Sequence, residues 1–408
     1  MKLAEIFKSG MVLQRDQQIT FWGENDSLRE VVVRISGVEV AKEKIAGGRF
    51  AISIPPQRTA WNETIEFVED DIVLERLDNV KIGEVWLCGG QSNMELNITY
   101  DELYKKLKKS DLSKNIFFYE TPKRYAPGME SIQKIRAQGQ WYPCNKDTLE
   151  QWASVPYHFA NKLALEMPDC PIGVVSCNMG GSNLLCWLPR EIIEEEQQLS
   201  KFYEAYVEHC KSLNMESYQN KFYDSLLKQD TGLIGLFGKM YMKGKFPKWF
   251  LDMQWKNNTE ALVSQQAYGP WDSMRPGGLY EYMLQPLFGF CFRGTIWYQG
   301  ESEAKSDRVD IYTHTMKLLV ERWRKDFDSN FPFVVVVLPR FEKDILDNGV
   351  LFPEIRRQQR ELPNHISNLY VIEEYESGMP YNIHSTKKRP IGEALARECL
   401  HQIYKISK

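Results

Sequence analysis

The sequence predicts an α/β protein in two parts. A small β-sandwich-like unit covers residues 1–80, and a domain built on a doubly wound parallel sheet covers residues 81–408. Three observations predict it. The first 80 residues carry short alternating runs broken by turns. From Glu84 onward, short apolar runs alternate with amphipathic helical stretches. The length of 408 residues fits two or three domains at about 150 residues each.

In the first part the expected strands are residues 18–22, 31–35, 50–54, 64–68 and 72–74, separated by turns such as Gly23-Glu24-Asn25-Asp26 and Gly47-Gly48. Charged and apolar residues alternate along them, as in an antiparallel sheet with one wet face. In the second part the runs at 84–88, 172–176, 295–298, 333–338 and 369–372 read as strands buried on both faces. Helical patterns lie between them, for example at 155–166 and 311–326. Residues 190–275 interrupt this rhythm. A charged helical pattern at 191–211 precedes an aromatic, glycine- and lysine-rich stretch at 233–271 without a clear period. An inserted subdomain is expected here, either a lid facing substrate or a helical pack that buttresses the sheet.

Composition narrows the function. There are 51 basic and 55 acidic side chains, a formal net charge of −4, and 43% apolar residues. That balance gives no broad basic field for nucleic acid or an anionic membrane. No apolar run reaches the ~18 residues of a membrane span. The eight cysteines form no CxxC and no zinc-like cluster with histidine, so reduced thiols and no metal are expected. The N-terminus has no apolar stretch after a basic start, which predicts a cytoplasmic protein; a leader already removed would place it in the periplasm or outside the cell. The oligomeric state is left open.

The chemistry centres on Gly89-Gly90-Gln91-Ser92-Asn93-Met94, where a buried strand runs into two glycines and a serine. Ligands of open α/β sheets bind at the carboxyl ends of strands. A serine there can act as a nucleophile, its own N–H helping to hold an oxyanion; the competing reading is an N-cap serine. Met94 stands where a GxSxG elbow would have its second glycine. The nucleophile needs a base. Of the six histidines, His158, His209 and His314 lie in helical patterns, His365 follows Pro363-Asn364 in an expected loop, and His401 is near the end. His384 alone follows the last expected strand in a loop, at the same end of the sheet as Ser92. Gly180-Gly181-Ser182 and Gln299-Gly300-Glu301-Ser302 also follow strands and offer oxyanion donors, against the plainer readings of a glycine turn and an N-cap.

Taken together, GGQSNM, the GGS turn followed by Trp187, WYQGES and the late loop with His384 resemble the sialate O-acetylesterase family of SGNH-type hydrolases. Gly10-Met11-Val12-Leu13-Gln14-Arg15 and Ile82-Gly83-Glu84-Val85-Trp86 are similar to two further segments of that family. Matching segments run in order from about residue 3 to about residue 396, and only 190–270 lacks one. The resemblance implies a flavodoxin-like three-layer α/β/α domain that hydrolyses O-acetyl esters of sugars without metal or organic cofactor. It implies Ser92 as nucleophile and His384 as base, with the Ser92 and Gly181 N–H groups and the Gln299 side chain as oxyanion hole. Gln91, Asn93, Trp187 and Glu301 are implied around an O-acetylated carbohydrate. Trp187 would pack on a sugar face, against the alternative of a core tryptophan.

The sequence departs from the family twice. Asn382 stands where the family has Asp two residues before the histidine, and Glu303 stands where the block reads G-E-S-N. A buried carboxylate normally orients the imidazole and stabilises the imidazolium. Three outcomes are open: Glu374 or Glu376 substitutes, Asn382 orients the ring in a slower Ser-His dyad, or activity is lost and binding kept. An acetyl xylan or other polysaccharide deacetylase is the alternative enzyme, and a non-catalytic glycan-binding protein is the alternative outside enzymes.

Overall fold

A computed structural model describes residues 1–131, 138–227, 242, 248–255 and 268–406. The strands, in chain order, are β1 (Lys2–Leu3), β2 (Val12–Gln14), β3 (Ile19–Asn25), β4 (Arg29–Ile35), β5 (Val38–Ile45), β6 (Gly48–Ile54), β7 (Ala60–Glu69) and β8 (Ile72–Gly90), then β9 (Ile116–Glu120), β10 (Trp141–Pro143), β11 (Ile172–Asn178), β12 (Gly294–Tyr298), β13 (Phe333–Val337) and β14 (Leu369–Glu373).

β1, β3 and β6 form a three-stranded antiparallel sheet, while β4 pairs with β5 and β7, and β7 with β8. Alternate residues point inward: Ile19 and Phe21 on β3, Val31 and Val33 on β4, Ile52 and Ile54 on β6, Ile65 and Phe67 on β7 are all buried. Phe21 and Phe67 meet edge-on at 5.2 Å, so the inner faces of the two sheets share a core.

β8 is 19 residues long. The sequence reads residues 72–74 and 84–88 as separate strands; the structure joins them. The cause is continuous pairing. β7 backs the first half antiparallel, β2 joins at Lys81–Gly83 in parallel register, and β11 and β12 flank the second half. Asp78-Asn79, which looks like a turn, is absorbed because Asn79 takes a left-handed conformation (φ 56) within the strand.

The second half of β8 lies inside a sheet of order β10-β9-β11-β8-β12-β13-β14. All its neighbouring strands are parallel except β10, which runs antiparallel to β9. β11, β12 and β13 are buried along their whole length, as expected of a sheet covered on both faces. β9 and β11, on one side of β8, precede β12, β13 and β14 on the other, so the order reverses at β8. Such a reversal opens a crevice at the strands' carboxyl ends.

The Ser154–Glu166 helix packs on the Arg389–Gln402 helix, and Tyr312–Asp326 on Phe352–His365; both Phe352–His365 and Arg389–Gln402 touch β13 and β14. The first pair meets at Gly392, where a Cβ would come within 2.6 Å of the His158 Cβ. His365 ends a helix that contains Pro363 rather than lying in a loop. A proline in the last turn interrupts only one hydrogen bond of that turn, and the helix continues through it. Between β11 and β12 lie the helices Arg190–Glu195, Ser200–Ser212, Met215–Leu227 and Lys248–Trp255. The single helical pattern at 191–211 is therefore two helices, separated around the fully buried Leu199. Much of the expected aromatic stretch at 233–271 lies outside the described residues.

Candidate active site

The turn after β8 is built on Gly90. Its φ is 135, and a Cβ there would come within 2.1 Å of the Tyr298 carbonyl oxygen at the end of β12. Only glycine allows that approach. The Gln91 N–H then donates to the same carbonyl at 3.1 Å. Ser92 opens a one-turn helix, Ser92–Glu95, with Gln91 at the cap position and no side-chain cap bond. Ser92 is thus not an N-cap. Its side chain is partly exposed at the floor of an open cleft of about 580 Å³.

Gly180 and Gly181 after β11, Glu301 and Ser302 after β12, and Ile383 and His384 after β14 line the same cleft. These loops all leave the carboxyl ends of parallel strands, which is why residues far apart in sequence converge there. The Gly180 N–H is taken by the Glu95 carboxylate. Gly181 has φ 78, and its carbonyl oxygen accepts from Ser302 Oγ at 2.9 Å. Gln91 faces the β12 loop, its Oε1 accepting from the Ser302 N–H at 3.2 Å. A Lys305–Asp347 ion pair, not foreseen in the sequence, also lines the cleft.

His384 is 8% exposed, and burial, then the nearby Lys388 charge, lowers its pKa to about 4. The ring is therefore neutral through the neutral pH range. Asn382 does not address the ring with its amide. Its Nδ2 donates to the His384 carbonyl at 2.9 Å and its Oδ1 accepts from the His384 N–H at 3.0 Å. The residue braces the backbone of the base. Glu374 pairs with Arg397 at 3.3 Å and lines a different cleft, and Glu376 is exposed. Glu374 is thus engaged elsewhere, and Glu376 is open to solvent.

Two further residues sit differently from the expectation. Trp187 has no solvent exposure; its indole N–H donates to Ser182 Oγ at 3.0 Å, and it packs edge-on against Trp297 and Trp323. It is a core tryptophan, because the turn that carries it folds inward over β12. Gln299 is also fully buried. Its Nε2 is directed at the Ser182 carbonyl (3.4 Å) and Glu303 Oε1 (3.3 Å). Gln299 does not line the cleft. Glu303, the second departure from the family pattern, is what holds it: its carboxylate also accepts from the Leu184 N–H and faces Arg308 at 3.4 Å.

Asn93 lies beside Glu301, which lines the cleft. Asn93 Nδ2 donates to Glu301 Oε1 at 2.5 Å and to the Ile383 carbonyl at 2.9 Å, and Asn93 Oδ1 accepts from the Lys388 ammonium. Burial raises the Glu301 pKa. Sequence reasoning missed Lys388, since Lys387-Lys388-Arg389 at a helix start reads as a solvated charge run. It also missed Asp101, which is buried and held by Ser154, by the Leu103 N–H and by His158 at 3.0 Å. Among the described residues, no group of three or more His, Cys, Asp or Glu is placed to hold a metal ion. Nor is any described helix long and apolar enough to cross a membrane.

Comparison with known proteins bears on the family and the fold. A family model described as "Carbohydrate esterase, sialic acid-specific acetylesterase" matches residues 82–222 and 264–401, more than half of the chain. The chain is 24% identical over 323 residues to a mouse sialate O-acetylesterase and 22% identical over 384 residues to the human one. Those matches cover 72% and 88% of this chain but only 50% and 61% of the relatives, so the chain spans about half to three fifths of their length. The crystal structure of a carbohydrate acetylesterase from Xanthomonas citri superposes with a TM-score of 0.72 at 21% identity, covering 99% of this chain and 75% of that one. At that identity the likeness bears on the fold. The family match goes further: the chain belongs to the sialic acid-specific acetylesterase family of carbohydrate esterases.

Proposed function

We propose that the chain is a serine esterase that removes O-acetyl groups from sugars, with O-acetylated sialic acids as first choice of substrate. The observation that carries this is the convergence of Ser92, Gly181 and His384 on one cleft, from the loops after β8, β11 and β14. The family supplies the substrate class. The helices that pack on the parallel sheet support a flavodoxin-like, three-layer SGNH domain, and the shared core of the two N-terminal sheets supports a separate β unit before it.

Ser92 Oγ attacks the acetyl carbonyl while His384 accepts the hydroxyl proton. The Ser92 and Gly181 N–H groups meet the negative charge that develops on the carbonyl oxygen. His384 then returns the proton to the leaving sugar oxygen, and water, activated by the same base, hydrolyses the acetyl-enzyme. A neutral imidazole is the form this sequence requires. The Gly180 N–H is bound by Glu95, which leaves the oxyanion role to Gly181. Gln299 has no part in it, because its donors face Ser182 and Glu303.

Asn382 favours a second reading. With no carboxylate on the His384 ring from this position, a glycan-binding protein that has lost turnover keeps the same cleft. Hydrolysis of an aryl acetate by wild type, Ser92→Ala and His384→Ala separates the two. Turnover in wild type that falls to background in both variants supports the esterase. No turnover in wild type moves the binding reading to first place, and turnover that survives Ser92→Ala rejects the assignment of the nucleophile. Acetylated xylo-oligosaccharide against O-acetyl sialic acid then decides between the two enzyme readings.

A further inference from the structure

Lys388 precedes the Arg389–Gln402 helix and has no solvent exposure. An ammonium so placed must be held by polar or aromatic partners. Its Nζ donates to Asn93 Oδ1 and stands over the Tyr298 ring, 5.2 Å from the centroid. The Glu301 and Asp101 carboxylates act on it through their charge. Asp101 is itself bound by His158, which lies on the helix packed against the one Lys388 begins.

The orientation of Asn93 follows from this. An amide side chain can present either its oxygen or its NH2 group to a neighbour. An ammonium has only donors, so the oxygen must face Lys388. Both N–H groups of Asn93 then point the other way, to Glu301 Oε1 and the Ile383 carbonyl. Asn93 is the residue after Ser92, and Ile383 is the residue before His384. One side chain thus ties the turn carrying the nucleophile to the loop carrying the base, and Lys388 sets which way it faces.

Resting on the reading of Ser92 and His384 as nucleophile and base, we propose that Lys388 is a positioning residue for acyl transfer. Through Asn93 it holds the Ser92 turn and the His384 loop in one register. The electrostatics agree with a cation held near that loop: burial first, and the Lys388 charge second, lower the His384 pKa. Burial lowers Lys388 itself to about 7, against the opposing pull of Glu301 and Asp101.

The test is an imidazole NMR titration of His384, identified by its loss in His384→Asn, together with the rate at which a fluorophosphonate labels Ser92. Both are measured in wild type, Lys388→Met, Lys388→Arg and Asn93→Ala. In Lys388→Met the His384 midpoint should rise by about one pH unit, and labelling should slow by roughly 10- to 100-fold as the register loosens. Lys388→Arg should restore the low midpoint, since it restores the charge. Asn93→Ala should slow labelling while leaving the midpoint low. An unchanged midpoint and labelling rate in Lys388→Met overturn the proposal; if that variant does not fold, labelling of Asn93→Ala at the wild-type rate does so. Wild type that neither labels at Ser92 nor cleaves an acetyl ester defeats the esterase reading instead, and the midpoint comparison then decides the role of Lys388 alone.

Discussion

Glu303 Oε1 lies 3.3 Å from Gln299 Nε2, and so a residue that departs from the family pattern holds the amide that the pattern offers as an oxyanion donor. Both side chains are buried, and the Gln299 donors face the Ser182 carbonyl as well. A donor committed to two protein acceptors is not aimed at an incoming carbonyl oxygen. Gln299→Ala should therefore change kcat per folded molecule by less than about 10-fold, whereas loss of a true oxyanion donor costs about 100- to 1000-fold. The comparison is Gly181→Ala. There the backbone has φ 78 while the nearest atom to an added Cβ, Met274 Cε, is 3.6 Å away. Strain, not crowding, displaces that N–H, and the larger loss is expected. Kinetics on an aryl acetate check both; a 100-fold loss in Gln299→Ala would restore Gln299 to the hole.

Asn382→Asp should not raise activity. The amide serves the His384 backbone on both sides, accepting from its N–H and donating to its carbonyl. A carboxylate keeps the first bond and puts an oxygen against the carbonyl in place of the second. Turnover should stay level or fall, and stability should fall by roughly 1–3 kcal/mol. Chemical denaturation alongside the kinetics distinguishes this from a rescue; a gain in kcat would show that the missing carboxylate had been limiting.

The pH dependence follows from the sign of the His384 shift. Its folded value is lowered from 6.5 to about 4 by burial and by Lys388. The neutral form is the base, so kcat/KM should rise through about pH 4 and be level by neutrality, unlike a site governed by an ordinary histidine. Between pH 6.5 and 4 the unfolded chain binds the proton and the folded one does not. The stability contributed by the neutral ring is complete above pH 6.5 and is lost as pH falls, by about 3 kcal/mol at pH 4. Denaturation curves of wild type and His384→Ala should converge accordingly on acidification. Parallel curves would mean that the ring titrates normally.

Trp187→Phe should weaken folding without touching substrate affinity. The indole is fully buried, its N–H on Ser182 Oγ and its ring against Trp297 and Trp323. Ser182 Oγ still donates to the Met179 carbonyl at 2.7 Å, so losing the indole bond costs about 0.5–1.5 kcal/mol. KM for an acetylated sugar should be unchanged. A rise in KM without loss of stability would put the ring in the cleft.

The sequence by itself determined the parallel sheet, apart from the strand Ile116–Glu120, and the positions of its loops, because both rest on short-range signals. Runs such as Phe333–Val337 are apolar throughout, as a strand covered on both faces must be. Gly90 marks a turn that no other residue fits, and strand polarity then puts the residues after β8, β11 and β14 at one end. That places Ser92, Gly181 and His384 together, while the roles proposed for them come from the family resemblance. Joining residues 72–74 to 84–88 in one strand required the neighbouring strands, since the local sequence there contains a turn-like Asp78-Asn79. Only the tertiary structure decided where the buried polar side chains point. Gln299 turns to Glu303, Asn382 to the His384 backbone, and Lys388 to Asn93, 295 residues away in the chain. Inside the protein a polar group must find a partner or forfeit its hydration. Which partner is within reach is set by how distant segments pack, and no local pattern carries that information.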